Sequence, residues 1–110
     1  DFLGPVPYAP TGISGRKVKN ESLLHSEYIN IVAWQPNPRN IGSTITRYRV
    51  YLFAGTNKQL LAEVDGNTFE YTQRGLSQGT QYIYGISSVT DDNRESSPAF
   101  VFIRYPAPTF

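Results

Sequence analysis

Residues 76–89 run Leu-Ser-Gln-Gly-Thr-Gln-Tyr-Ile-Tyr-Gly-Ile-Ser-Ser-Val. A leucine, a polar turn containing Gly79, and Tyr82 at the head of a strand-forming run describe a corner where a chain leaves one sheet and enters another. A tyrosine placed there buries its ring and turns its hydroxyl back to a backbone group of the turn, which fixes the corner. The remaining segments must therefore supply strands for two facing antiparallel sheets.

They do so at regular intervals. Thr11 to Val18 reads as a first edge strand, with Ile13 and Val18 as its apolar members, and Lys19 to Glu27 reads as a polar loop. Tyr28 to Trp34 is a strong strand with two competing alternations. One turns Asn30, Val32 and Trp34 inward and the other turns Ile29 and Ile31 inward; a bulge reconciles them. The large burial that a tryptophan brings favours the first. Ile45 to Phe53 alternates clearly, with Tyr48, Val50 and Leu52 on one face and Arg47, Arg49, Tyr51 and Phe53 on the other. Gln59 to Val64, Thr68 to Thr72, Thr80 to Thr90 and Ala99 to Tyr105 complete the set. Asp65-Gly66-Asn67 carries a tight-turn signal, and Pro98 stands where a strand start tolerates it.

About seven strands with turn signals every roughly 8–12 residues, and no amphipathic helical period, predict an all-β, immunoglobulin-like antiparallel sandwich. The chain has 110 residues, enough for one domain with a core. Its nine glycines and eight prolines suit many short turns. Pro5, Pro7 and Pro10 make residues 1–9 a semi-rigid linker ahead of a domain spanning 10–105, and 106–110 a second linker or the start of a following module. The predicted core is Trp34, Tyr48, Val50, Leu76, Tyr82 and Ile86.

These residues resemble a fibronectin type III domain from Pro10 to Tyr105. Pro10-Thr11 stands before the first strand. Trp34-Gln35-Pro36 is similar to the family's buried tryptophan and the loop after it. Ile45 with Tyr48-Arg49-Val50 resembles its third strand, Leu76, Gly79-Thr80 and Tyr82 resemble its corner, and Ser97-Pro98-Ala99 resembles the approach to its last strand. The sequence departs from the pattern at Gln78, where proline is usual, and at Asn30, where an apolar residue is usual. The stretch from Tyr71 to Leu76 is about two residues longer than expected, which predicts a bulge. Some members of the family bind integrins through Arg-Gly-Asp in the last inter-strand loop. Residues 91–96 lack that motif, so the resemblance does not carry that activity over.

Ala9-Pro10-Thr11 recurs as Ala107-Pro108-Thr109, 98 positions later. That interval is about one sandwich domain. It predicts that Ala107 begins another such module and that the chain is one unit of an array. The first and last residues accordingly read as cut points in a longer chain.

Composition removes several chemistries. There is no cysteine, so disulfides, thiolate catalysis and cysteine-ligated zinc are excluded. A net charge of +1 offers no basic face for nucleic acid. No apolar run approaches the roughly 20 residues of a membrane span, and no signal peptide opens the chain. His25, the single histidine, lies in a polar loop beside Glu21 and Glu27 and reads as solvated rather than catalytic or metal-binding. Asp91, Asp92, Asn93 and Glu95 offer hard oxygens without a recognised calcium-loop spacing, and a polar hairpin is the simpler reading. Asn20-Glu21-Ser22 forms a glycosylation sequon, a triplet common by accident. No cofactor is expected.

The candidate working surface is a sheet face. Arg47, Arg49, Tyr51 and Phe53 point outward from one strand and Ile83 from its neighbour, a mix of aromatic, apolar and arginine side chains that suits recognition. Ordinary cross-strand packing on a solvated sheet is the competing explanation. The resemblance implies a non-catalytic spacer or protein-interaction module of a larger secreted or cell-surface protein. The alternative is an accessory module of a secreted glycoside-active enzyme, with Tyr51 and Phe53 stacking on sugar rings.

Overall fold

A computed structural model describes residues 6–21, 26–40, 44–54, 56–76 and 81–104. Seven strands run through them: β1 Thr11–Glu21, β2 Ser26–Gln35, β3 Ile45–Ala54, β4 Asn57–Asp65, β5 Glu70–Leu76, β6 Gln81–Thr90 and β7 Ala99–Arg104. They form two antiparallel sheets, a three-stranded one in the order β1-β2-β5 and a four-stranded one in the order β4-β3-β6-β7. The chain changes sheet between β2 and β3, between β4 and β5, and again at the corner between β5 and β6.

The alternation in β3 and β6 decides what lies between the sheets. Tyr48, Val50 and Leu52 face the same side as their partners Ser88, Ile86 and Tyr84. From the opposite sheet come Val32 and Trp34, and the buried cluster is Val32, Trp34, Tyr48, Val50, Tyr84, Ile86 and Ile103. The Trp34 and Tyr48 rings lie 5.6 Å apart, and Tyr48 meets Phe69 edge-on at 5.8 Å. Each is a spacing at which aromatic pairs add to burial.

Leu76 and Tyr82 are half-buried rather than enclosed. Both sit beside the corner, near the end of the sandwich, where one sheet no longer fully covers the other. Tyr82 still packs on the core and stacks on Tyr84 at 6.4 Å. The turn expected to receive its hydroxyl, residues 77–80, lies outside the described residues, as does His25.

The strands differ from the sequence reading at their ends. β1 continues past Val18 to Glu21, and β2 starts at Ser26, because the two pair as a hairpin down to Glu21↔Ser26. A backbone ladder holds this extension without an apolar face, so Val18 is exposed rather than buried. Gly12, at φ +57°, sits at a register break between Thr11 and Ser14, in a conformation that suits glycine. β5 begins at Glu70 instead of Thr68. The Asp65 carboxylate accepts from the Asn67 N–H at 2.8 Å and the Thr68 hydroxyl at 3.2 Å, which keeps both residues in the turn. Farther along, Arg74 and Gly75 together stand opposite Ile29, the bulge expected between Tyr71 and Leu76. On the β2 side, Asn30, Val32 and Trp34 are all buried, and Ile29 is buried beside the bulge.

Candidate interaction face

The outer face of the four-stranded sheet is laid out by the register. From β3 it receives Arg47, Arg49, Tyr51 and Phe53. Arg49 is opposite Ser87, Tyr51 opposite Gly85, and Phe53 opposite Ile83 on β6. On β7, Phe100 pairs with Gly85 and Phe102 with Ile83. On β4, Glu63 pairs with Arg49, Leu60 with Tyr51 and Lys58 with Phe53. Directly opposed residues share a face, so one end is ionic and the other aromatic.

At the ionic end every arginine is engaged. Arg49 donates from Nε to Glu63 at 2.8 Å and from Nη1 to Glu95 at 2.6 Å; Arg47 reaches Glu63 at 3.4 Å. Both guanidinium groups also donate to Asn93 Oδ1, at 2.8 and 3.2 Å. Asn93 adopts φ 67° at the tip of the β6–β7 loop, a conformation asparagine tolerates. Burial opposes ionisation of Glu95, but hydrogen bonds from Tyr51 and Arg49 outweigh it and hold the carboxyl below its ordinary range. The Arg49 hydrogen bond does the same for Glu63. The charges of Arg47, Arg49, Glu63 and Glu95 thus balance within this network.

Tyr51 corrects the sequence reading. It leaves the sheet on the outer side as expected, yet it is only 8% exposed. Its hydroxyl donates to Glu95, the Lys58 ammonium lies 4.2 Å from its ring centroid, and the Phe53 ring packs at 6.3 Å. The ring is therefore covered, and burial raises the phenol pKa.

The aromatic end contains residues that sequence reasoning missed. Phe100 is 50% and Phe102 58% exposed, and Leu60 is 52% exposed across the sheet. Phe53 and Ile83 are half-buried between them. Phe53 meets Phe100 edge-on at 5.2 Å over Gly85. A Cβ on Gly85 would stand 2.7 Å from Phe53 Cε2, so glycine makes room for this pair. The signal was present in the period-two Phe-Val-Phe-Ile of β7. It was ambiguous because both faces are apolar and the larger side chains are ordinarily expected inside.

The acidic side chains of the β6–β7 loop do not pool. Asp92 accepts from the Thr90 hydroxyl at 2.5 Å and from Arg94 Nε at 3.0 Å, while Glu95 turns away to Arg49 and Tyr51. Among the described residues no group of three or more His, Cys, Asp or Glu is placed to hold a metal ion. What the surface offers is an apolar, aromatic contact area beside a charge-balanced network.

The family model of the fibronectin type III domain matches residues 9–102. The third fibronectin III domain of the human KIAA0343 protein is similar in structure, with a TM-score of 0.68 at 17% identity, covering 100% of this chain and 92% of that one. So is an Fn3-like protein from Clostridium thermocellum, with a TM-score of 0.64 at 24% identity and coverage of 96% and 100%. The glycoside hydrolase domain structure of Endo-D from Streptococcus pneumoniae also matches, with a TM-score of 0.66 at 18% identity; the match covers 92% of this chain but only 15% of that one. No curated protein matches the chain in sequence.

Proposed function

The chain belongs to the fibronectin type III family, and from that premise we propose that it is a non-catalytic module of a larger secreted or cell-surface protein, contacting a protein partner through the outer face of its four-stranded sheet. Domains of this family are commonly modules of multidomain proteins and are generally non-catalytic. The observation that carries the reading is the exposure of Phe100 and Phe102 beside Phe53, Ile83 and Leu60. Contiguous apolar surface with a polar rim marks contact sites. The neighbouring charges already satisfy one another, so the face would select by shape and apolar area rather than by net charge.

The test is a paired bait. The immobilised chain and a Phe100→Ser/Phe102→Ser variant are offered the same secreted and surface protein fraction of the source organism. Proteins held by the first and lost by the second, with little sensitivity to salt, support the reading. Identical retention by both sinks it.

A second reading is an accessory module of a carbohydrate-active enzyme. The resemblance to a small part of a glycoside hydrolase structure and the exposed phenylalanines support it. The covered ring of Tyr51 counts against the stacking pair suggested by sequence. Retention on insoluble polysaccharide, lost in the same variant, selects this reading.

The array proposal gains a physical basis at the first Ala-Pro-Thr triplet. The Ala9 carbonyl accepts from Asn37, Pro10 is buried, and the Thr11 hydroxyl donates to the Pro36 carbonyl. A second copy of the triplet at 107–109 would serve the same purpose for a following module. A parent reading frame that continues past residue 110 without another sandwich pattern would remove this proposal.

A further inference from the structure

The segment leading into β1 carries prolines three apart, at 7 and 10. Both are buried, whereas Val6 and Tyr8 are exposed. A polyproline II helix has three residues per turn, so residues 7 and 10 fall on one edge. Proline has no N–H, so burying these two leaves no donor without a partner.

Three of the four backbone groups between the prolines are met by side chains from the β2–β3 turn. Asn40 uses both ends of its amide on one residue: Oδ1 accepts from the Tyr8 N–H at 2.7 Å and Nδ2 donates to the Tyr8 carbonyl at 3.0 Å. Reversing that amide would oppose donor to donor and acceptor to acceptor. Asn37 Nδ2 donates to the Ala9 carbonyl at 2.8 Å. The turn is held ready for this task, since Asn37 Oδ1 accepts from the Arg39 N–H at 2.9 Å and the Asn40 N–H donates to the Asn37 carbonyl at 3.0 Å. The Arg39 guanidinium lies 5.4 Å from the Tyr8 ring centroid, which closes the outer side.

We infer that the β2–β3 turn is a latch for an extended Pro-x-x-Pro segment, filled by the chain's own residues 7–10, which makes the N-terminal approach to the module a rigid strut instead of a swivel. Asn40 reads backbone, not side chain, and the two prolines read the three-residue period. At about 3.1 Å per residue, the latch extends the rigid body roughly 12 Å ahead of β1. The rigid body then begins at Pro7 and not at Thr11. The latch is independent of the sheet face, and each is read by its own measurement.

Backbone ¹⁵N relaxation on the full chain tests it. The expected order parameters of the Tyr8 and Ala9 amides are about 0.85, like those of Val50 and Ile86; a flexible lead-in would fall below about 0.6. In an Asn37→Ala/Asn40→Ala variant both should drop below about 0.6 while Val50 and Ile86 keep their values. A low wild-type value at Tyr8, or an unchanged one in the folded variant, overturns the inference. If the variant does not fold, the wild-type measurement decides alone.

Discussion

The side-chain amide of Asn30 donates to the hydroxyl of Tyr84 at 2.9 Å, bridging the two sheets between residues that are both fully buried. The same hydroxyl donates onward to Gln73 on β5. One phenol therefore ties β6 to β2 and β5. This explains why an asparagine stands where the family usually has an apolar residue. A buried polar group is tolerated when it is hydrogen-bonded, and such a network favours one register, since a one-residue slip would carry Asn30 to the other face.

Tyr84→Phe should cost about 1–3 kcal/mol, because it removes the hydroxyl while leaving the buried amide of Asn30 and the half-buried amide of Gln73 without it. Tyr82→Phe should cost less, about 0.5–1.5 kcal/mol, since water reaches that half-buried end of the sandwich. Urea unfolding at unchanged m-value measures both. A silent Tyr84→Phe would strip the bridge of any energetic role.

Trp34→Ala should cost about 3–5 kcal/mol by opening a cavity against Tyr48. Trp34 is the single tryptophan, so fluorescence cannot follow the variant's unfolding; tyrosine signal or circular dichroism can. A loss under about 1 kcal/mol would mean that the core closes around the gap, against the usual cost of such truncations.

Gly85→Ala sets two effects against each other. Restricting the unfolded chain stabilises by about 0.4–1 kcal/mol. The new methyl would meet Phe53 at 2.7 Å and Pro98 at 3.0 Å, and such overpacking costs about 1–3 kcal/mol. Net destabilisation is expected, with the Phe53–Phe100 pair driven apart. Chemical denaturation together with ring-current shifts of the two phenylalanines checks it; a stabilised variant with unmoved shifts contradicts the geometry.

Acid should weaken the β6–β7 loop. Glu95 has a folded pKa below its ordinary 4.5, so its contribution is present above that pH and fades as pH falls through the lower folded value. Glu63 acts in the same direction, but its side chain lies at the surface and counts for little. Thermal midpoints taken from pH 6 to pH 3 should fall less steeply in Glu95→Gln than in the parent. Parallel curves would show that the Arg49 and Tyr51 contacts do not favour the ionised carboxylate.

The sandwich was legible because its signals are local. The period of two in β3 assigned Tyr48 and Val50 to the core, and the run from Leu76 to Val89 marked the change of sheet. The same periodicity named the outward residues Arg47, Arg49, Phe53 and Ile83. It could not say which outward residues remain accessible. Tyr51 is covered by Lys58, Phe53 and Glu95, three groups from strands and a loop that the register brings together.

By itself, then, the sequence determined the all-β class, the succession of strands and the inward face of the central ones. Those follow from alternation along one strand and from turn residues between strands. Tertiary structure alone decided that Tyr51 is hidden while Phe100 and Phe102 are open, that Asn30 has a buried partner in Tyr84, and that Pro7, read as part of a semi-rigid linker, lies buried against the body as Pro10 does. Each of these depends on residues 28 to 54 positions apart in the chain meeting side by side, and pairing across sheets and turns leaves no periodic trace in the amino-acid order.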